Sequence, residues 1–571
     1  MDDTEPRSEH DRRRIVIVGG VAGGMSAAAR ARRLDERAQI VVLEQSDYVS
    51  FANCGLPYHL SGEIERRDDL LLHTPTSLGA ALALDVRTGS RVTAIDRAAR
   101  SVSVTTVDGS YELAYDALLL SPGAVAVRPP IDGLDHPAVH SLRTIPDLDT
   151  LDAHVTGLVD RRSGDDRARA VVIGAGFIGL EAVEALVARG LEVDVVELAD
   201  HVLPPLDAEL APLLADELRA HDVGLYTSVS ARSVTPGAGH AVDISLSDGT
   251  TLSADLVVVN VGVRPASQLA RGAGLEVGPS GAIRVDADQR TSDPHIWAVG
   301  DAVEVIHAVT GAVGPVPLAG PANRQGRRAA DAMLGRRTTP QAPVLGTAIV
   351  RVFDLTAAVT GANQRTLLEA GIPYEVVRIH PGHHAGYFPG AEQLHLVASF
   401  APDGRLLGAQ AVGRAGVDKR IDVLATALRA HMTADDLAEL ELAYAPPYGS
   451  AKDPVNMLGF VAQNALDGTT PQWHPAELDD VQADTLVLDV RSQSEFDRGH
   501  LKGALHIPHT ELRSRLDEVR TAAEGRPVSV HCGSGVRSHI ATRVLLADGL
   551  VARNLSGGWL SLTAVRPDLI A

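Results

Sequence analysis

The chain has 571 residues, which predicts about four domains at roughly 150 residues each. Aromatic residues make up only 3%, so stacking platforms for single-stranded nucleic acid are not expected. Acidic residues outnumber basic ones by 73 to 52, and the net charge of -21 disfavours both nucleic acid and anionic membranes as partners.

Cysteine usage and the absence of targeting signals narrow the class further. Cys54 and Cys532 are the only two cysteines, which excludes a disulfide scaffold and a cysteine-built zinc site, and no metal site is expected. The first fourteen residues are charged and lack the apolar core of a secretion signal. No apolar run reaches the roughly 18 residues of a membrane span. We therefore expect a cytoplasmic protein in a reducing compartment.

The first half of the chain contains one pattern twice. The β-branched run 14–18 ends in glycines and leads into the alanine-rich stretch 25–31, which predicts a strand, a tight turn and a helix, with a second strand over 40–44. The pattern recurs over 170–197, and the runs 115–123 and 254–262 are predicted to close the two units. Two βαβ units predict two dinucleotide sites on parallel sheets.

The second half of the chain shows a different pattern of predicted strands and helices. Strand-like runs at 348–353, 374–379 and 394–400, with a helix near 420–431, predict an α+β domain. A polar linker then precedes a compact α/β unit. The predicted fold class is α/β, and the predicted boundaries are 1–150 and 276–335 for the first dinucleotide domain, 151–275 for the second, 336–465 for the α+β domain, 466–474 for the linker and 475–571 for the final domain.

The glycine turns of the two units differ in quality. Segment 174–179 fits G-x-G-x-x-G at every position, whereas segment 19–24 has Val21 where the middle glycine belongs. Glu44 lies 20 residues after the last glycine of its turn and Glu197 lies 18 after its own, so both are candidates to bind ribose hydroxyls. Such turns also occur for packing alone, and it is the pair of turns, each with a carboxylate, that favours binding.

A third segment indicates the cofactor. Residues 291–301, Thr-Ser-Asp-Pro-His-Ile-Trp-Ala-Val-Gly-Asp, resemble the FAD-closing motif of the two-dinucleotide flavoprotein disulfide reductases, although a strand and turn ending in an acid is the alternative. The resemblance implies FAD in the first site, with Asp301 on the ribityl chain, and a nicotinamide dinucleotide in the second. Glu197 would repel a 2′-phosphate and no arginine follows it before Arg219, so NADH is favoured over NADPH. The implied cofactor-binding residues are Gly19, Gly20, Val21, Ala22, Gly24, Glu44, Val92, Asp301, Ala319, Gly174, Gly176, Gly179, Glu197 and Gly262.

The first cysteine departs from the usual pattern of that family, a C-x-x-x-x-C pair beside the flavin. His59 stands where the second cysteine belongs, so Cys54 cannot form an internal disulfide and must cycle through a mixed disulfide, a persulfide or a sulfenic acid. Segment 50–58, Ser-Phe-Ala-Asn-Cys-Gly-Leu-Pro-Tyr, closely resembles the active-site segment of coenzyme A-disulfide reductases, and the resemblance runs from about 14 to 460. Related NADH oxidases and peroxidases more often have a bulkier residue in place of Ala52-Asn53.

The same resemblance implies a homodimer. Segments 443–448 and 451–456 would cross its interface to complete the partner's active site, with Tyr387 and Tyr444 protonating the departing thiolate. Relatives often have two tyrosines where this chain has Tyr387-Phe388, so Tyr448 is a second candidate, and ordinary interface tyrosines are the alternative. The implied coenzyme A contacts are Ser26, Arg30, Arg33, Ser50, Asn53 and Lys452. A solvated helix face is the alternative reading of the two arginines.

The second cysteine lies in a loop of its own. Segment 530–538 places Cys532 after a strand and before a helix, where backbone N–H groups and a helix N-terminus would stabilise a thiolate. Arg537 follows it by five residues rather than the six of tyrosine phosphatases, which is the shorter loop of rhodaneses. Motifs at 489–491, 495–496, 499–504, 507–508 and 557–559 also resemble rhodaneses. The resemblance implies that Cys532 carries sulfane sulfur beside Arg537, with a purely structural module as the alternative.

The combination resembles the coenzyme A-disulfide reductase–rhodanese fusions known as NADH-dependent persulfide reductases. It implies FAD-dependent reduction of persulfide, polysulfide or coenzyme A disulfide through Cys54, with sulfur supplied through Cys532 and coenzyme A as substrate or bound cofactor. Three alternatives stay open: an NADH oxidase or peroxidase that uses a Cys54 sulfenic acid, a coenzyme A-disulfide reductase that gains nothing from Cys532, and a redox-sensing protein that docks a sulfur-trafficking partner.

Overall fold

The computed structural model describes residues 12–161 and 167–569. These residues group into two compact units. The first comprises the residues up to 198 together with 229–346, and the second comprises 199–228 together with the residues from 347 onward.

The first unit begins with the predicted strand, glycine turn and helix. Residues 15–17 are fully buried, as expected for a parallel strand covered on both faces. The strands up to residue 126 are β1 (Arg14–Val18), β2 (Gln39–Leu43), β3 (Asp85–Arg87), β4 (Arg91–Asp96), β5 (Ser101–Thr106), β6 (Gly109–Ala114), β7 (Ala117–Leu120) and β8 (Ala124–Ala126). The helices are α1 (Ala22–Leu34), α2 (Leu56–Leu60) and α3 (Pro75–Leu82).

The second βαβ pattern also forms as predicted. Its strands, with those that follow up to residue 265, are β9 (Val139–His140), β10 (Arg169–Ile173), β11 (Glu192–Val196), β12 (Gly224–Tyr226), β13 (Ala231–Pro236), β14 (Val242–Leu246), β15 (Thr251–Ala254), β16 (Leu256–Val259) and β17 (Val263–Pro265). The helices are α4 (Ile145–Arg161), α5 (Phe177–Ala188), α6 (Ala211–Ala220) and α7 (Gln268–Gly272), of which α6, like β12, lies in 199–228 and belongs to the second unit. The first unit ends with β18 (Ile296–Ala298), β19 (Val305–Ile306), β20 (Val313–Gly314) and α8 (Ala319–Met333).

Two parallel sheets form the centre of the first unit. One has the strand order β18-β7-β1-β2-β3, and in the other β11, β10, β16 and β9 are successive neighbours. The strands predicted to close the two βαβ units lie beside the first strand of each, β7 beside β1 and β16 beside β10. Because the carboxyl ends of neighbouring parallel strands meet at one sheet edge, each glycine turn lies at the edge where dinucleotides bind.

Close packing requires a glycine at the last position of each turn. A Cβ atom at Gly24 would lie 1.9 Å from the carbonyl oxygen of Gly19, and one at Gly179 would lie 2.0 Å from that of Gly174. The helix therefore approaches the preceding strand more closely than any other residue allows.

The second unit contains an antiparallel sheet with the strand order β21-β22-β25-β24-β23. Its strands are β21 (Ala348–Val352), β22 (Leu355–Gly361), β23 (Glu375–Ile379), β24 (Leu394–Phe400) and β25 (Leu406–Gly413), and its helices are α9 (Gln364–Glu369), α10 (Val417–Arg429), α11 (Ala434–Ala438) and α12 (Pro454–Leu466). The α+β character and the three predicted strand runs agree with this structure, and α10 begins three residues before the predicted helix.

The carboxyl-terminal part of this unit is a parallel sheet with the order β26-β30-β29-β27-β28. Its strands are β26 (Gln472–Trp473), β27 (Leu486–Asp489), β28 (Leu505–His506), β29 (Val528–His531) and β30 (Ala552–Leu555), and its helices are α13 (Leu478–Asp484), α14 (Gln493–Asp497), α15 (Leu516–Ala523), α16 (Val536–Ala547) and α17 (Gly558–Val565).

The predicted linker 466–474 is wrong at both ends. Leu466 is the last residue of α12, and Gln472–Trp473 form β26, an edge strand that pairs with β30. Trp473 is fully buried, because its indole fills the core beneath the sheet and its N–H reaches the carbonyl oxygen of Val530 at 3.3 Å. Because Trp473 has polar neighbours, the sequence shows no alternating apolar pattern here, and the strand was not predicted.

Across residues 12–161 and 167–569, no helix combines the length and the apolar character needed to cross a membrane. The same residues contain no group of three or more His, Cys, Asp or Glu side chains arranged to hold a metal ion.

Candidate active sites

The two glycine turns lead into helices that have no side-chain cap. Val21 precedes α1 and Gly176 precedes α5, and neither provides a capping hydrogen bond from its side chain. The first N–H groups of both helices are therefore available to the oxygens of a pyrophosphate. A Cβ atom at Gly176 would meet nothing within 4 Å, so the second turn is open to a ligand on that side. Dinucleotides fit both turns.

The two predicted carboxylates lie against their turns. Glu44 Oε2 accepts a hydrogen bond from the Gly20 N–H at 2.8 Å, and its Oε1 accepts one from the Ser46 N–H at 2.9 Å. Glu197 Oε2 accepts from the Ala175 N–H at 2.6 Å. Each carboxylate follows the second strand of its unit, which is where a dinucleotide ribose would lie.

Asp301 lies in a short 3-10 turn, Gly300–Ala302, that follows β18. Burial raises the pKa of its carboxyl, and Arg143, whose Nη2 is 3.5 Å from Oδ2, opposes that rise. The other implied cofactor residues lie on separate elements: Val92 is in β4, Ala319 is the first residue of α8, and Gly262 follows β16 with a φ of 102°.

Cys54 lies in the 3-10 turn Asn53–Gly55, which runs directly into α2. The residue is solvent-accessible, and its Sγ is 3.9 Å from Asn53 Oδ1. Burial of the thiol by its surroundings raises the pKa of Cys54, and the carboxylates of Glu181 and Asp301 raise it further. The polypeptide by itself therefore favours the protonated thiol, so a reactive thiolate here requires favourable charge or dipoles from bound groups.

A groove of about 580 Å³ adjoins Cys54. It brings together residues from α1, from the segment before α2 and from α8. Five of the six implied coenzyme A contacts line it: Ser26, Arg30, Arg33, Ser50 and Asn53. Val21, Ala22 and Ala319 line it as well, so the groove reaches the first glycine turn.

Sequence reasoning missed the contribution of α8 and of one loop residue to this groove. Asn323, Arg327 and His73 also line it, and Ser26 Oγ donates a hydrogen bond to Asn323 Oδ1 at 2.5 Å. One sequence signal was available: Gly326 interrupts an otherwise helical pattern. A Cβ atom there would lie 2.1 Å from the carbonyl oxygen of Gly23, so this glycine allows α8 to pack against α1.

The two groove arginines differ in their contacts. Arg30 makes a part-buried ion pair with Asp331, with Nη2 to Oδ1 at 2.8 Å, whereas Arg33 is exposed. Arg30 is thus partly neutralised within the protein, and Arg33 presents its charge to the groove. The reading of both arginines as an undifferentiated solvated face therefore does not describe Arg30.

The implied tyrosines belong to the second unit. Tyr387 and Tyr444 are exposed, with their hydroxyl oxygens 3.1 Å apart, and the hydrogen bond with Tyr444 raises the pKa of Tyr387. Tyr448 is also exposed. Lys452 lies just before α12 and is exposed. None of these four residues lines the groove beside Cys54.

Cys532 occupies a different environment. It follows the last residue of β29, is fully buried, and accepts a hydrogen bond from Ser538 Oγ at 3.3 Å. The loop after it leads through Gly535, which has a φ of 93°, into α16. The sulfur thus lies at the base of a loop that precedes a helix N-terminus, the design expected for holding an anionic sulfur.

Two ion pairs frame this loop. Arg537 donates to both carboxylate oxygens of Glu495 at 2.6 and 2.7 Å, and this bidentate contact holds the pKa of Glu495 well below its usual range. Arg491 binds Asp489 and lies 4.3 Å from the centre of the Trp559 ring. The separated rhodanese-like motifs of the sequence therefore meet around one loop.

Comparison with known proteins agrees with this arrangement. The sequence model of the pyridine nucleotide-disulphide oxidoreductase family matches residues 13–315, that of the family's dimerisation domain matches 347–454, and that of the rhodanese-like domain matches 470–564. Coenzyme A disulfide reductase of Staphylococcus haemolyticus is 35% identical over 455 residues, which cover 79% of this chain and all of that protein.

Two solved structures are similar over nearly the whole chain. The reduced CoADR-RHD protein of Bacillus anthracis superposes with a TM-score of 0.94 at 42% identity, covering 98% of this chain and 99% of the other. A NAD-dependent persulfide reductase from A. fulgidus superposes with a TM-score of 0.88 at 38% identity, covering 96% and 99%. The chain therefore belongs to the pyridine nucleotide-disulphide oxidoreductases, which use FAD and NAD(P)H, and it carries the family's dimerisation domain and a carboxyl-terminal rhodanese-like domain.

Proposed function

We propose that this protein reduces the S–S bond of coenzyme A persulfide, coenzyme A disulfide or polysulfide with electrons from NADH, through Cys54 as its single redox cysteine. Cys532 carries sulfane sulfur to this reaction. The observation that carries the proposal is the groove beside Cys54, in which hydroxyl, amide and guanidinium groups converge on one exposed thiol.

The proposed reaction has two stages. The Cys54 thiolate attacks the coenzyme A sulfur of a persulfide, which breaks the S–S bond, releases hydrosulfide and leaves a mixed disulfide between Cys54 and coenzyme A. Bound FAD would supply two electrons and a proton from NADH, which would break the mixed disulfide and regenerate the Cys54 thiolate and free coenzyme A. With coenzyme A disulfide as substrate, the first leaving group is a coenzyme A thiolate instead.

The residues of the groove support coenzyme A as the part of the substrate that the protein binds. Coenzyme A carries several phosphate charges, and Arg33 and Arg327 bring cationic groups to the groove. Ser26, Ser50, Asn53 and Asn323 bring neutral hydrogen-bonding groups to the same groove. The groove of about 580 Å³ is within the range typical of small-molecule sites.

The nicotinamide specificity rests on Glu197. Its carboxylate lies at the end of β11, hydrogen-bonded to the Ala175 N–H, where a 2′-phosphate would meet like charge. No arginine follows in the sequence before Arg219. We expect the protein to use NADH in preference to NADPH.

The functional form is a homodimer in this proposal. The chain contains the family's dimerisation domain, and Tyr387 and Tyr444 form a hydrogen-bonded pair on the surface of the second unit. Because that hydrogen bond raises the pKa of Tyr387, its hydroxyl keeps its proton at neutral pH and can donate it to a departing thiolate across the dimer interface.

The deciding experiment is anaerobic oxidation of NADH by the purified flavoprotein, with coenzyme A disulfide, inorganic polysulfide and coenzyme A persulfide compared as oxidants. We expect turnover with the persulfide or polysulfide, and a selective loss of the polysulfide reaction in Cys532→Ser. Equal polysulfide rates in wild type and Cys532→Ser would refute the sulfur-carrying role. Turnover that requires oxygen and none of the three sulfur compounds would instead identify an oxidase.

A further inference from the structure

The rhodanese-like domain touches the dimerisation domain through the loop and helix that support Cys532. Strand β23 and the residue after it, His380, lie against the start of α17. His380 Nε2 is 2.9 Å from Ser561 Oγ on α17, and Ser556 Oγ donates to the carbonyl oxygen of Val376 at 3.4 Å. Both contacts lie within the second compact unit.

Two consecutive glycines lie between this strand and the Cys532 loop. A Cβ atom at Gly557 would lie 2.9 Å from Arg378 Cβ of β23, and one at Gly558 would lie 2.7 Å from the carbonyl oxygen of Cys532. The chain at 557–558 therefore touches the dimerisation domain on one side and the sulfur-carrying loop on the other. No side chain larger than hydrogen fits at either position.

The first turn of α17 binds the Cys532 loop directly. The Trp559 N–H donates to the carbonyl oxygen of Cys532 at 2.7 Å, and the Leu560 N–H donates to that of Gly533 at 3.0 Å. These two hydrogen bonds fix the orientation of the first two peptide groups of the loop. A displacement of α17 would therefore rotate the N–H groups that surround the sulfur.

The surroundings of His380 keep its ring in place and uncharged. Its ring is buried beside His395, with the two Nδ1 atoms 2.8 Å apart, and burial lowers the pKa of His380 to about 3 and that of His395 to about 4. Both rings are therefore neutral at physiological pH, so that one Nδ1 atom donates a hydrogen bond to the other. The neighbouring Arg378 adds a contact to His474 Nδ1 at 2.9 Å, next to the start of the rhodanese-like domain.

We propose that His380 is a positioning residue for sulfur transfer at Cys532, acting through its hydrogen bond to Ser561 and through the α17 turn that binds the Cys532 loop. The dimerisation domain is then part of the support of the sulfurtransferase site. The proposal rests on the sulfur-carrying role of Cys532 proposed above.

The test uses the full-length holoenzyme and sulfur transfer from thiosulfate to cyanide. In this assay Cys532 takes the outer sulfur of thiosulfate and releases sulfite, and cyanide then removes that sulfur as thiocyanate. We expect His380→Ala to lower kcat for thiocyanate formation about five- to tenfold, the range that corresponds to one net hydrogen bond, with little change in the KM for thiosulfate. Alkylation of Cys532 by iodoacetamide, followed by mass spectrometry, should slow in parallel.

Two further variants separate positioning from loss of stability. Ser561→Ala should reproduce the effect from the other side of the contact, and the double variant should be no worse than either single one, because both remove the same hydrogen bond. His380→Gln, which keeps a hydrogen-bonding side chain, should recover most of the rate. Thr360→Val is the matched control: it removes the hydrogen bond between buried Thr360 in β22 and Thr347, which precedes β21, and should leave kcat unchanged.

The outcomes are distinguishable. Wild-type kcat in both His380→Ala and Ser561→Ala, or an equal loss in Thr360→Val, would overturn the positioning role. If Cys532→Ser retains sulfur transfer, the proposed function of Cys532 itself fails, and the positioning role fails with it. An inactive Cys532→Ser together with normal His380 and Ser561 variants refutes only the positioning role.

Discussion

The two cysteines of this chain lie in opposite kinds of surroundings. Cys54 is solvent-accessible in a short turn, and partial burial of its thiol, together with the nearby carboxylates of Glu181 and Asp301, raises its pKa. Cys532 is fully buried beneath a loop that leads to a helix N-terminus, with Arg537 held nearby. The first thiol therefore depends on bound groups to become reactive, whereas the second lies in a loop whose backbone N–H groups and neighbouring arginine can hold an anionic sulfur.

The largest expected effects come from exchanging the two thiols for hydroxyls. Cys54→Ser should lower NADH-dependent reduction of coenzyme A disulfide about a thousandfold or more, because it removes the nucleophile, while FAD remains bound and thiosulfate:cyanide transfer stays normal. Cys532→Ser should show the reverse pattern. Steady-state rates and the flavin absorbance spectrum measure both. A Cys54→Ser enzyme with normal reduction of coenzyme A disulfide would show that Cys54 is not the redox nucleophile.

The next effect concerns the ion pair at the buried site. Arg537→Ala should lower sulfur transfer about ten- to a hundredfold, because it removes a charge-assisted donor beside the loop and leaves Glu495 without its bidentate partner. Arg537→Lys restores the charge without the planar fork and should recover only part of the rate. Transfer by the alanine variant within twofold of wild type would mean that the backbone alone holds the sulfur.

The same variant has a pH signature in stability. Arg537 lowers the pKa of Glu495 in the folded protein, so the pair stabilises the fold above the ordinary glutamate pKa of about 4.3, and this contribution is lost as pH falls. Arg537→Ala loses the largest part of this contribution and keeps only the part that comes from the hydrogen bonds of Ser492. Its unfolding temperature should therefore fall less steeply than that of wild type between about pH 5 and pH 3, as thermal unfolding across that range would measure.

A smaller effect is expected in the groove of the first site. Arg33→Ala should raise the KM for coenzyme A disulfide about three- to tenfold with little change in kcat, because an exposed guanidinium contributes uniform binding to phosphate. Arg37→Ala is the matched control, since it removes an exposed arginine four positions further along that does not line the groove. Equal changes in both variants would indicate a general effect of net charge.

The smallest effect tests the carboxylates around the accessible thiol. Glu181→Gln removes one cause that raises the pKa of Cys54, so more thiolate should be present at pH 7 and alkylation by iodoacetamide should quicken about twofold. Glu184→Gln, one turn further along α5, is the control. A slower reaction in Glu181→Gln would show that this carboxylate supports the thiolate rather than opposing it.

The sequence predicted those parts of the structure that are determined by residues close together in the chain. The strand–turn–helix units were predictable, because glycine spacing and β-branched runs are written in consecutive residues. Ser26, Arg30 and Arg33 were identified through resemblance, and they line one groove. Asn323 was not found, because it lies 297 positions after the residue that it contacts and nothing local marks it.

Two other features depend on tertiary contacts in the same way. The ion pair of Arg30 with Asp331 joins α1 to α8 and could not be read from the arginine-rich stretch alone. Strand β26 is two residues long, and only its pairing with β30 and the burial of Trp473 define it. Except for the linker, the domain boundaries stay predictions, as do the roles assigned to the site residues.

The short connection between α12 and β26 has a consequence for sulfur delivery. Only residues 467–471 separate Leu466 from Gln472, a tether that spans about 17 Å when fully extended. The contacts of β23 with the start of α17 hold the rhodanese-like domain further in place. The rhodanese-like domain is therefore fixed against the dimerisation domain and does not move freely on its tether. In the proposed function, the sulfur acceptor must therefore come to the Cys532 loop, because that loop is fixed to the dimerisation domain through α17.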